Sequence, residues 1–272
     1  MKRTELAALQ KKLGIVPSKK LGQNFLVDEQ FSQWIVNACG VKEKENILEV
    51  GPGFGAITVP LLNTGGNLIS VEFDRKIAEY LRGALVPKGL TLVEGDACKV
   101  DVESLFHGEE FRVISNLPYS SGSVFIANML NLNNPPREMC VMLQKEVAER
   151  FAAEVGSHEY GSYTVRLQAM YKVEMLRIVP PEVFMPEPEI DSAVIRLTLR
   201  EDRPDKALFK RFSTLVKASF AHRRKKMFKQ AAAVFGKEEV ANAMAKAGVD
   251  PDIRAEKVTI SQFLLMAKEL AK

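Results

Sequence analysis

A short apolar run that leads directly into three closely spaced glycines constrains the fold of this chain more than any other feature. The segment ILEVGPGFGAIT (residues 47–58) predicts a strand, a tight turn and the start of a helix. Gly51, Gly53 and Gly55 permit the turn and allow a ligand to approach the backbone closely. Glu72 ends the next apolar run, 21 residues after Gly51. A carboxylate at that place can accept hydrogen bonds from both ribose hydroxyls of a nucleoside.

The glycine loop therefore indicates a nucleoside-containing cofactor and leaves two kinds open. Gly51-x-Gly53-x-x-Ala56 satisfies the relaxed dinucleotide fingerprint, which is compatible with a nicotinamide-dependent oxidoreductase. Glycines at every second position favour S-adenosylmethionine instead. Asp96 follows the third predicted strand and is a candidate acceptor for an adenine amino group, because ligands of open parallel sheets collect at the carboxyl ends of strands. A Gly-Asp pair is also a common turn.

Short apolar runs alternate with amphipathic stretches between residues 46 and 200. This alternation predicts an α/β fold with a Rossmann-like, mainly parallel sheet of seven strands. The predicted strands are Asn46–Val50, Asn67–Glu72, Leu90–Glu94, Phe111–Ser115, Met139–Leu143, Val173–Val179 and Ala193–Leu199. Helices are predicted at Asp74–Leu85 and Ser121–Leu130, with Asp74 and Ser121 as N-caps.

The end of the chain has a different character. Four prolines in PPEVFMPEPEIDS (180–192) predict an ordered loop without regular helix. After the polar joint at 201–205, only helices are predicted, at Lys206–Phe220, Arg223–Phe235, Glu238–Ala247 and Ile260–Ala271. We therefore expect a large domain over 1–204 and a small all-helical domain over 205–272.

The net charge of +4 conceals a strong asymmetry along the chain. Residues 1–27 carry six Lys/Arg and one acid, and residues 206–237 carry ten Lys/Arg and no acid. Residues 28–205 hold 17 basic and 27 acidic residues, a net charge of −10. An acidic body with basic ends suggests that the periphery holds a polyanion, although a solvated helical face would show the same charges.

Other features of the sequence indicate a compartment and exclude some classes of site. The three cysteines are far apart and fit neither a zinc site nor a disulfide framework, so a reducing, cytoplasmic compartment is expected. No apolar h-region follows Met-Lys-Arg, and no run reaches the roughly 20 apolar residues of a membrane span. We expect a cytoplasmic monomer with neither a metal nor a membrane partner.

The tetrapeptide Asn116-Leu117-Pro118-Tyr119 follows the fourth predicted strand and indicates the chemistry. An adenine exocyclic amine is a poor nucleophile because its lone pair is delocalised into the ring. The side-chain carbonyl of Asn116 and the backbone carbonyl of Leu117 can accept hydrogen bonds from both hydrogens of this amine. The two hydrogen bonds would localise the lone pair on the nitrogen. Pro118 fixes the backbone there, and Tyr119 offers a flat face for a flipped base. Direct methyl transfer from a sulfonium needs no metal and no covalent enzyme intermediate.

With these residues, the chain resembles the KsgA family, the small-subunit ribosomal RNA adenine dimethyltransferases. The resemblance rests on KKLGQNFLVD (19–28), LEVGPGFG (48–55), VEFD (71–74), EGDA (94–97), SNLPY (115–119), FMPEPEIDSAV (184–194), FAHRRKKM (220–227) and a terminal region containing IRAEKVT. It implies a seven-stranded class I methyltransferase sheet with a small helical C-terminal domain. It also implies that S-adenosylmethionine donates four methyl groups, two to each of two adjacent adenosines near the 3′ end of small-subunit RNA. The substrate is then the small ribosomal subunit, late in its assembly.

The resemblance also implies individual roles. The cofactor-binding residues are expected to be Gln23, Asn24, Leu26, Gly51, Gly53, Glu72, Asp96, Ala97 and Asn116. The target adenine is expected to meet Asn116, Leu117, Pro118, Tyr119 and Phe184, with the base sandwiched between Tyr119 and Phe184. The acids Glu187 and Glu189 depart from the expected pattern, which puts the RNA contacts of their loop in doubt.

A basic cluster near residue 223 is the candidate RNA-backbone contact. Arg223, Arg224, Lys225 and Lys226 can neutralise phosphates, while the neighbouring Phe220 is expected to be core. The alternative is that these cations coat an ordinary helix. The lysines of the N-terminal segment form either a second patch or, over residues 1–12, a disordered basic tail.

Three alternative functions stay open at this point. A macrolide-resistance-type methyltransferase of large-subunit RNA shares the glycine loop and the Asn-x-Pro-Tyr turn. A mainly non-catalytic ribosome assembly factor would use the same particle. A nicotinamide-dependent oxidoreductase would use only the glycine loop, since Asn116 to Tyr119 add nothing to that chemistry.

Overall fold

The computed structural model describes residues 1–18, 21–222 and 225–270, and it places seven strands in one sheet. The strands of the described residues are β1 (Phe25–Leu26), β2 (Asn46–Val50), β3 (Asn67–Glu72), β4 (Thr91–Glu94), β5 (Arg112–Asn116), β6 (Glu138–Gln144), β7 (Tyr171–Val179), β8 (Phe184–Met185) and β9 (Ser192–Leu199). The main sheet has the order β4-β3-β2-β5-β6-β9-β7. The predicted α/β fold with seven strands is confirmed.

The order of the strands determines where a ligand can bind. The five strands from β4 to β6 are parallel, and β9 runs antiparallel to β6. From β2 the chain continues to β3 and β4 on one side, and the later strands β5 and β6 lie on the other. Open α/β sheets bind ligands at such a reversal, outside the carboxyl ends of the strands.

The central strands form because their side chains are apolar on both faces. Ile47, Leu48, Val113, Ile114 and Val141 have no exposed surface. Such strands are covered by helices on both sides, which explains the near-continuous apolar runs in the sequence.

The helices are α1 (Arg3–Leu13), α2 (Glu29–Cys39), α3 (Thr58–Leu62), α4 (Arg75–Ala84), α5 (Val102–Leu105), α6 (Gly122–Met129), α7 (Lys145–Phe151), α8 (Ser162–Met170), α9 (Lys206–Ser219), α10 (Met227–Phe235), α11 (Lys237–Lys246) and α12 (Ile260–Glu269). Asp74 caps α4 by accepting hydrogen bonds from the N–H groups of Lys76 and Ile77. Ser121 stands at the N-cap of α6, but its side chain makes no capping hydrogen bond. Among the described residues, no helix is both long enough and apolar enough to cross a bilayer.

Of the two interpretations of residues 1–12, the disordered tail is wrong. These residues belong largely to α1, which ends at Gly14 with φ 60°. Leu6 on this helix is only 1% exposed and is part of the hydrophobic core. An apolar anchor of this kind holds the helix, and its lysines lie on exposed faces.

The chain divides into two compact units that differ from the predicted 1–204 and 205–272. One unit contains residues 1–148 and 174–198, and the other contains 149–173 and 199–272. Residues 149–173 belong to the second unit because α8 packs against α9 and α12. Sequence position alone does not reveal that this segment leaves the sheet unit and returns.

The second unit has its own aromatic core. Phe212 and Phe263 have no exposed surface and meet edge to face, with ring centroids 6.5 Å apart. Phe220, which is expected to be core, is only partly buried, and its ring centroid lies 6.1 Å from that of Phe263. Tyr160 donates a hydrogen bond of 3.2 Å to the Val258 carbonyl. The predicted helix at Arg223–Phe235 begins only at Met227, and residues 223 and 224 lie outside the described residues.

Candidate functional site

A cavity lies at the carboxyl ends of β2, β3, β4 and β5, where the order of the sheet reverses. Loops that follow these strands line it together with the N-terminal segment 21–26. Most of the predicted site residues meet at its wall: Gln23, Asn24, Leu26, Gly51, Gly53, Glu72, Asp96, Ala97, Asn116, Leu117, Pro118 and Tyr119. Among the described residues, the predicted site residues Phe184, Lys225 and Lys226 do not line it.

The glycine loop is shaped by contacts that leave no room for side chains. Gly51 and Gly53 have φ values of 65° and 55°, in the left-handed region that favours glycine. A Cβ atom on Gly53 would lie 2.9 Å from the ring of Phe25, and one on Gly51 would lie 3.2 Å from Pro118. The loop is therefore pressed between the N-terminal segment and the turn that contains Asn116.

Glu72 ends β3 and faces the cavity with a largely buried carboxylate. Its two oxygens accept hydrogen bonds from the backbone N–H groups of Gly53, at 3.3 Å, and Asp74, at 2.8 Å. Burial raises the pKa of Glu72 from its ordinary value to about 6, against the opposing effect of these two hydrogen bonds. A carboxylate has about four acceptor sites, so Glu72 keeps capacity for further donors such as ribose hydroxyls.

Asp96 and Ala97 line the cavity beyond β4. Asp96 accepts a hydrogen bond of 2.9 Å from the backbone N–H of Cys98, and Lys99 lies 3.6 Å from its other oxygen. Its side chain is about one-third exposed. The hydrogen bond to Cys98 thus fixes the carboxylate, which can still accept a hydrogen bond from an amino group of a ligand.

Asn116 combines a fixed orientation with an unused acceptor. Its Nδ2 donates a hydrogen bond of 3.2 Å to the Asn24 carbonyl oxygen, an atom that can only accept. This contact determines which way the amide faces. Asn116 Oδ1 is buried and has no hydrogen-bond partner among the described residues. A buried acceptor of this kind is costly unless a ligand or a water molecule supplies the donor.

The other residues of the turn are held by the surrounding backbone. Leu117 is 1% exposed, and its N–H donates a hydrogen bond of 3.0 Å to the Met142 carbonyl. Tyr119 lines the cavity, and its phenol is hydrogen-bonded to the hydroxyl of Ser192. Burial raises the pKa of Tyr119, so the phenol is protonated at neutral pH.

The side-chain amide of Gln23 is hydrogen-bonded to two other parts of the protein. Its Oε1 accepts from the Ser18 N–H at 2.8 Å, and its Nε2 donates to Asp74 at 3.2 Å. Both ends of the amide are therefore bound by the protein, although the residue lines the cavity. We infer that Gln23 holds segment 21–26 against the start of α4.

Phe184, which is predicted to sandwich the target base with Tyr119, does not line the cavity in the conformation described. Phe184 has no exposed surface and belongs to the hydrophobic core. The cause is a strand pair that the sequence did not predict: β8 pairs antiparallel with β1, which places Phe184 opposite Leu26. The Val27 N–H also donates a hydrogen bond of 2.8 Å to the Val183 carbonyl.

Glu187, an acid that departs from the expected pattern, forms an ion pair with Arg3. The Arg3 guanidinium lies 3.0 Å from the Glu187 carboxylate and donates a hydrogen bond of 2.6 Å to the Glu182 carbonyl. The proline-rich loop is thereby tied to α1, and the charge of Glu187 is compensated within the protein. Both side chains are partly exposed, so the ion pair contributes little to stability.

Two residues at the cavity were not predicted from the sequence. Phe73 follows Glu72, lines the cavity and is 59% exposed. Glu49 also lines it, is 2% exposed, and accepts hydrogen bonds from the hydroxyls of Thr58, at 2.8 Å, and Ser70, at 2.7 Å. Signals for both were available, since one is an aromatic after the ribose acid and the other is a charge inside an apolar strand.

The basic cluster lies in the second unit and is described only in part. Arg223 and Arg224 are outside the described residues. Lys225 and Lys226 are exposed, and the Lys226 ammonium lies 2.7 Å from the Asp252 carboxylate. In the described part of the chain, no group of three or more His, Cys, Asp or Glu side chains could hold a metal ion.

Nearly the whole chain is similar to known proteins. A family model described as ribosomal RNA adenine dimethylase matches residues 17–272. Ribosomal RNA small subunit methyltransferase A of Thiobacillus denitrificans is 39% identical, over 94% of this chain and 98% of that protein. The protein of the same name from Xanthomonas campestris is 40% identical, over 94% of this chain and 97% of its own.

Solved structures support the fold. A dimethyladenosine transferase from Plasmodium falciparum is similar with a TM-score of 0.73 and 23% identity, over 89% of this chain and 95% of that chain. The 23S rRNA methyltransferase ErmE is similar with a TM-score of 0.68 and 23% identity, over 92% and 100% of the two chains. At this identity the two structures show a shared fold.

The buried carboxyl of Glu49 gives a prediction about stability and pH. Burial raises its pKa from 4.5 to about 7 in the folded protein. A raised folded-state pKa means that the folded protein binds the extra proton, so this contribution to stability is present below pH 4.5 and is lost as pH rises to about 7. Between pH 4.5 and 7.5, the wild type should lose about 3 kcal/mol of unfolding free energy relative to Glu49→Gln.

Urea unfolding of both proteins at a series of pH values measures this difference. Glu72 is present in both proteins and also titrates, so its own contribution largely cancels. A difference between the two proteins that does not change with pH would contradict the assignment of a buried, proton-binding carboxyl to Glu49.

Proposed function

The chain belongs to the ribosomal RNA adenine dimethylase family. We propose that it dimethylates adenosines of small-subunit ribosomal RNA with S-adenosylmethionine as methyl donor. One observation carries the chemistry. Asn116 Oδ1 is a buried acceptor without a partner in the described structure, on the wall of the cavity, in an amide whose orientation is fixed by Asn24. An exocyclic amine that enters the cavity supplies the missing donor.

The residues of the cavity fit S-adenosylmethionine. Glu72 has acceptor capacity for the ribose hydroxyls, Asp96 for the adenine amino group, and the exposed ring of Phe73 offers a face for the adenine. Gly51 and Gly53 leave the space that a Cβ would otherwise fill. When bound, the cofactor supplies an electrophilic methyl group on a sulfonium.

The residues of this chain orient and activate the other reactant. Asn116 Oδ1 and the Leu117 carbonyl accept hydrogen bonds from the two N–H groups of the adenine amine. These two hydrogen bonds localise the lone pair on the nitrogen. Tyr119 offers the stacking face, and its phenol is held by Ser192. Phe184 becomes a second stacking face only if β8 moves away from β1, because its ring is fully buried in the conformation described.

The relatives favour the small subunit over the large subunit. Proteins named ribosomal RNA small subunit methyltransferase A are 34% to 40% identical over more than 90% of this chain. The large-subunit enzyme ErmE is 23% identical and supports the fold alone. We extend the proposal to two adjacent adenosines near the 3′ end, methylated late in subunit assembly in the cytoplasm by a monomer, as the family resemblance implies.

We propose that the second unit contacts the RNA backbone. Residues 206–237 carry ten Lys/Arg and no acid, and Lys225 is exposed. Contacts of this kind make affinity fall steeply with salt.

Incubation of the protein with unmethylated small ribosomal subunits and methyl-labelled S-adenosylmethionine tests the function. We expect label in dimethyladenosine at two adjacent positions near the 3′ end of the RNA. Free large-subunit RNA is the competing substrate, and preferential labelling of it would favour the macrolide-resistance-type activity. No label on either RNA, with cofactor binding intact, would favour an assembly factor without catalysis.

Asn116→Ala should reduce methyl transfer by about 10²- to 10³-fold, the usual cost of removing one preorganised group that stabilises the reacting centre. Cofactor affinity should fall less, since only one of several cofactor contacts is lost. Single-turnover rates and equilibrium dialysis measure the two effects. Asn131→Ala is the matched control, because Asn131 is an exposed asparagine outside the cavity. A wild-type rate in Asn116→Ala would refute the mechanism.

Glu72→Gln should weaken cofactor binding by about 10- to 100-fold, as expected for loss of hydrogen bonds to a charged acceptor. In the wild type, affinity should fall as pH drops from 8 to 5, because protonation near pH 6 removes the acceptor. This part of the pH dependence should be absent in the variant. Titration calorimetry between pH 5 and 8 measures the cofactor dissociation constant of both proteins. An identical pH dependence in the two proteins would exclude the ribose role of Glu72.

A further inference from the structure

A hydrogen bond joins the turn at the cavity to the beginning of a distant strand. The phenol of Tyr119 and the hydroxyl of Ser192 are hydrogen-bonded partners. Ser192 has no exposed surface, whereas Tyr119 lines the cavity. The stacking role proposed for Tyr119 uses only its ring, so the hydroxyl has no function in the chemistry described so far.

Ser192 is a rigid point of attachment. It is the first residue of β9 and lies opposite Gln144 in the register with β6. The preceding residue, Asp191, accepts a hydrogen bond of 3.0 Å from the Lys145 N–H through its carbonyl. The backbone on both sides of Ser192 is thus fixed to β6 or to the start of α7.

A fixed hydroxyl at this place restricts the tyrosine ring. A tyrosine side chain turns about two bonds, and its hydroxyl is the atom farthest from the backbone. That oxygen lies on the axis of the second rotation, so holding it restricts rotation about the first bond and fixes the position and the long axis of the ring. A base that stacks on a ring held in one position has its amine placed at a defined distance from Asn116, and misplacement by about an ångström is enough to slow a reaction strongly.

We propose that Ser192 is a positioning residue for the target base, which it orients through the Tyr119 ring without touching the base or the cofactor. The proposal rests on the proposed function, because it takes Tyr119 as the stacking face. It assigns a role in the reaction to the serine at the end of the proline-rich loop. The proline-rich loop and the turn that contains Tyr119 then position the substrate together.

A double-mutant cycle tests the proposal with the full chain, unmethylated small subunits and S-adenosylmethionine. Ser192→Ala and Tyr119→Phe should each lower the single-turnover rate by about 3- to 10-fold, the effect of one neutral hydrogen bond. The double variant should be no slower than either single variant, because both changes remove the same contact. The cofactor dissociation constant should change less than twofold in all three.

The control is Ser213→Ala, which removes another largely buried serine hydroxyl, one without a hydrogen-bond partner in the described structure. It should leave the rate unchanged. Thermal unfolding of every variant identifies any that fail to fold. If the single effects multiply in the double variant, or if Ser192→Ala has the wild-type rate, the positioning role is overturned.

A parallel variant separates this proposal from the proposed function. Tyr119→Ala removes the ring and should lower the rate more than Tyr119→Phe does. Loss of activity in Tyr119→Ala with a wild-type rate in Ser192→Ala would overturn only the positioning role. A wild-type rate in Tyr119→Ala would overturn the stacking face and with it the role of Ser192. A wild-type protein that is inactive on small subunits would overturn the proposed function itself.

Discussion

The candidate site depends on how closely segment 21–27 approaches the glycine loop and the turn that contains Asn116. Two glycines permit the approach. A Cβ on Gly53 would lie 2.9 Å from the Phe25 ring, and one on Gly22 would lie 2.8 Å from a backbone nitrogen of the turn. The same segment supplies the carbonyl that holds the Asn116 amide. A wider gap at either glycine would therefore also move the acceptor on which the proposed chemistry rests.

The cavity wall contains carboxyl groups that burial makes unfavourable in their charged form. Burial raises the pKa of Glu49 to about 7 and that of Glu72 to about 6. Their partners within the protein are hydroxyl and backbone N–H groups, all hydrogen-bond donors. A cofactor with ribose hydroxyls and a positive charge adds hydrogen-bond donors and a countercharge. Its binding therefore offsets part of the unfavourable free energy of burying these carboxylates.

The sequence predicted the sheet well, because each central strand is an apolar run long enough to recognise. Most of the site residues that were predicted from the sequence line one cavity, because the carboxyl ends of parallel strands meet at one edge of the sheet. The pairing of β1 with β8 was not predictable, because it joins two-residue strands whose partners, such as Phe25 and Met185, are 160 residues apart. The burial of Phe184 follows from that pairing, which is why this aromatic lies in the core and does not line the cavity in the conformation described. The membership of residues 149–173 in the second unit was hidden for the same reason, since only tertiary contacts reveal it.

The stability of the fold and the proposed chemistry make opposite demands on Asn116. For stability, a buried amide should satisfy both of its ends, and an apolar residue at the end of β5 would carry no unsatisfied atom at all. The fold instead fixes one end through Asn24 and leaves Oδ1 without a partner in the part of the chain that is described. This carbonyl is already desolvated and already oriented before a substrate arrives, so little reorganisation is needed when an amine meets it. The proposed reaction accounts for this unsatisfied atom, because a substrate amine would offset the cost of burying it. The atom therefore indicates the candidate site more specifically than the glycine loop alone.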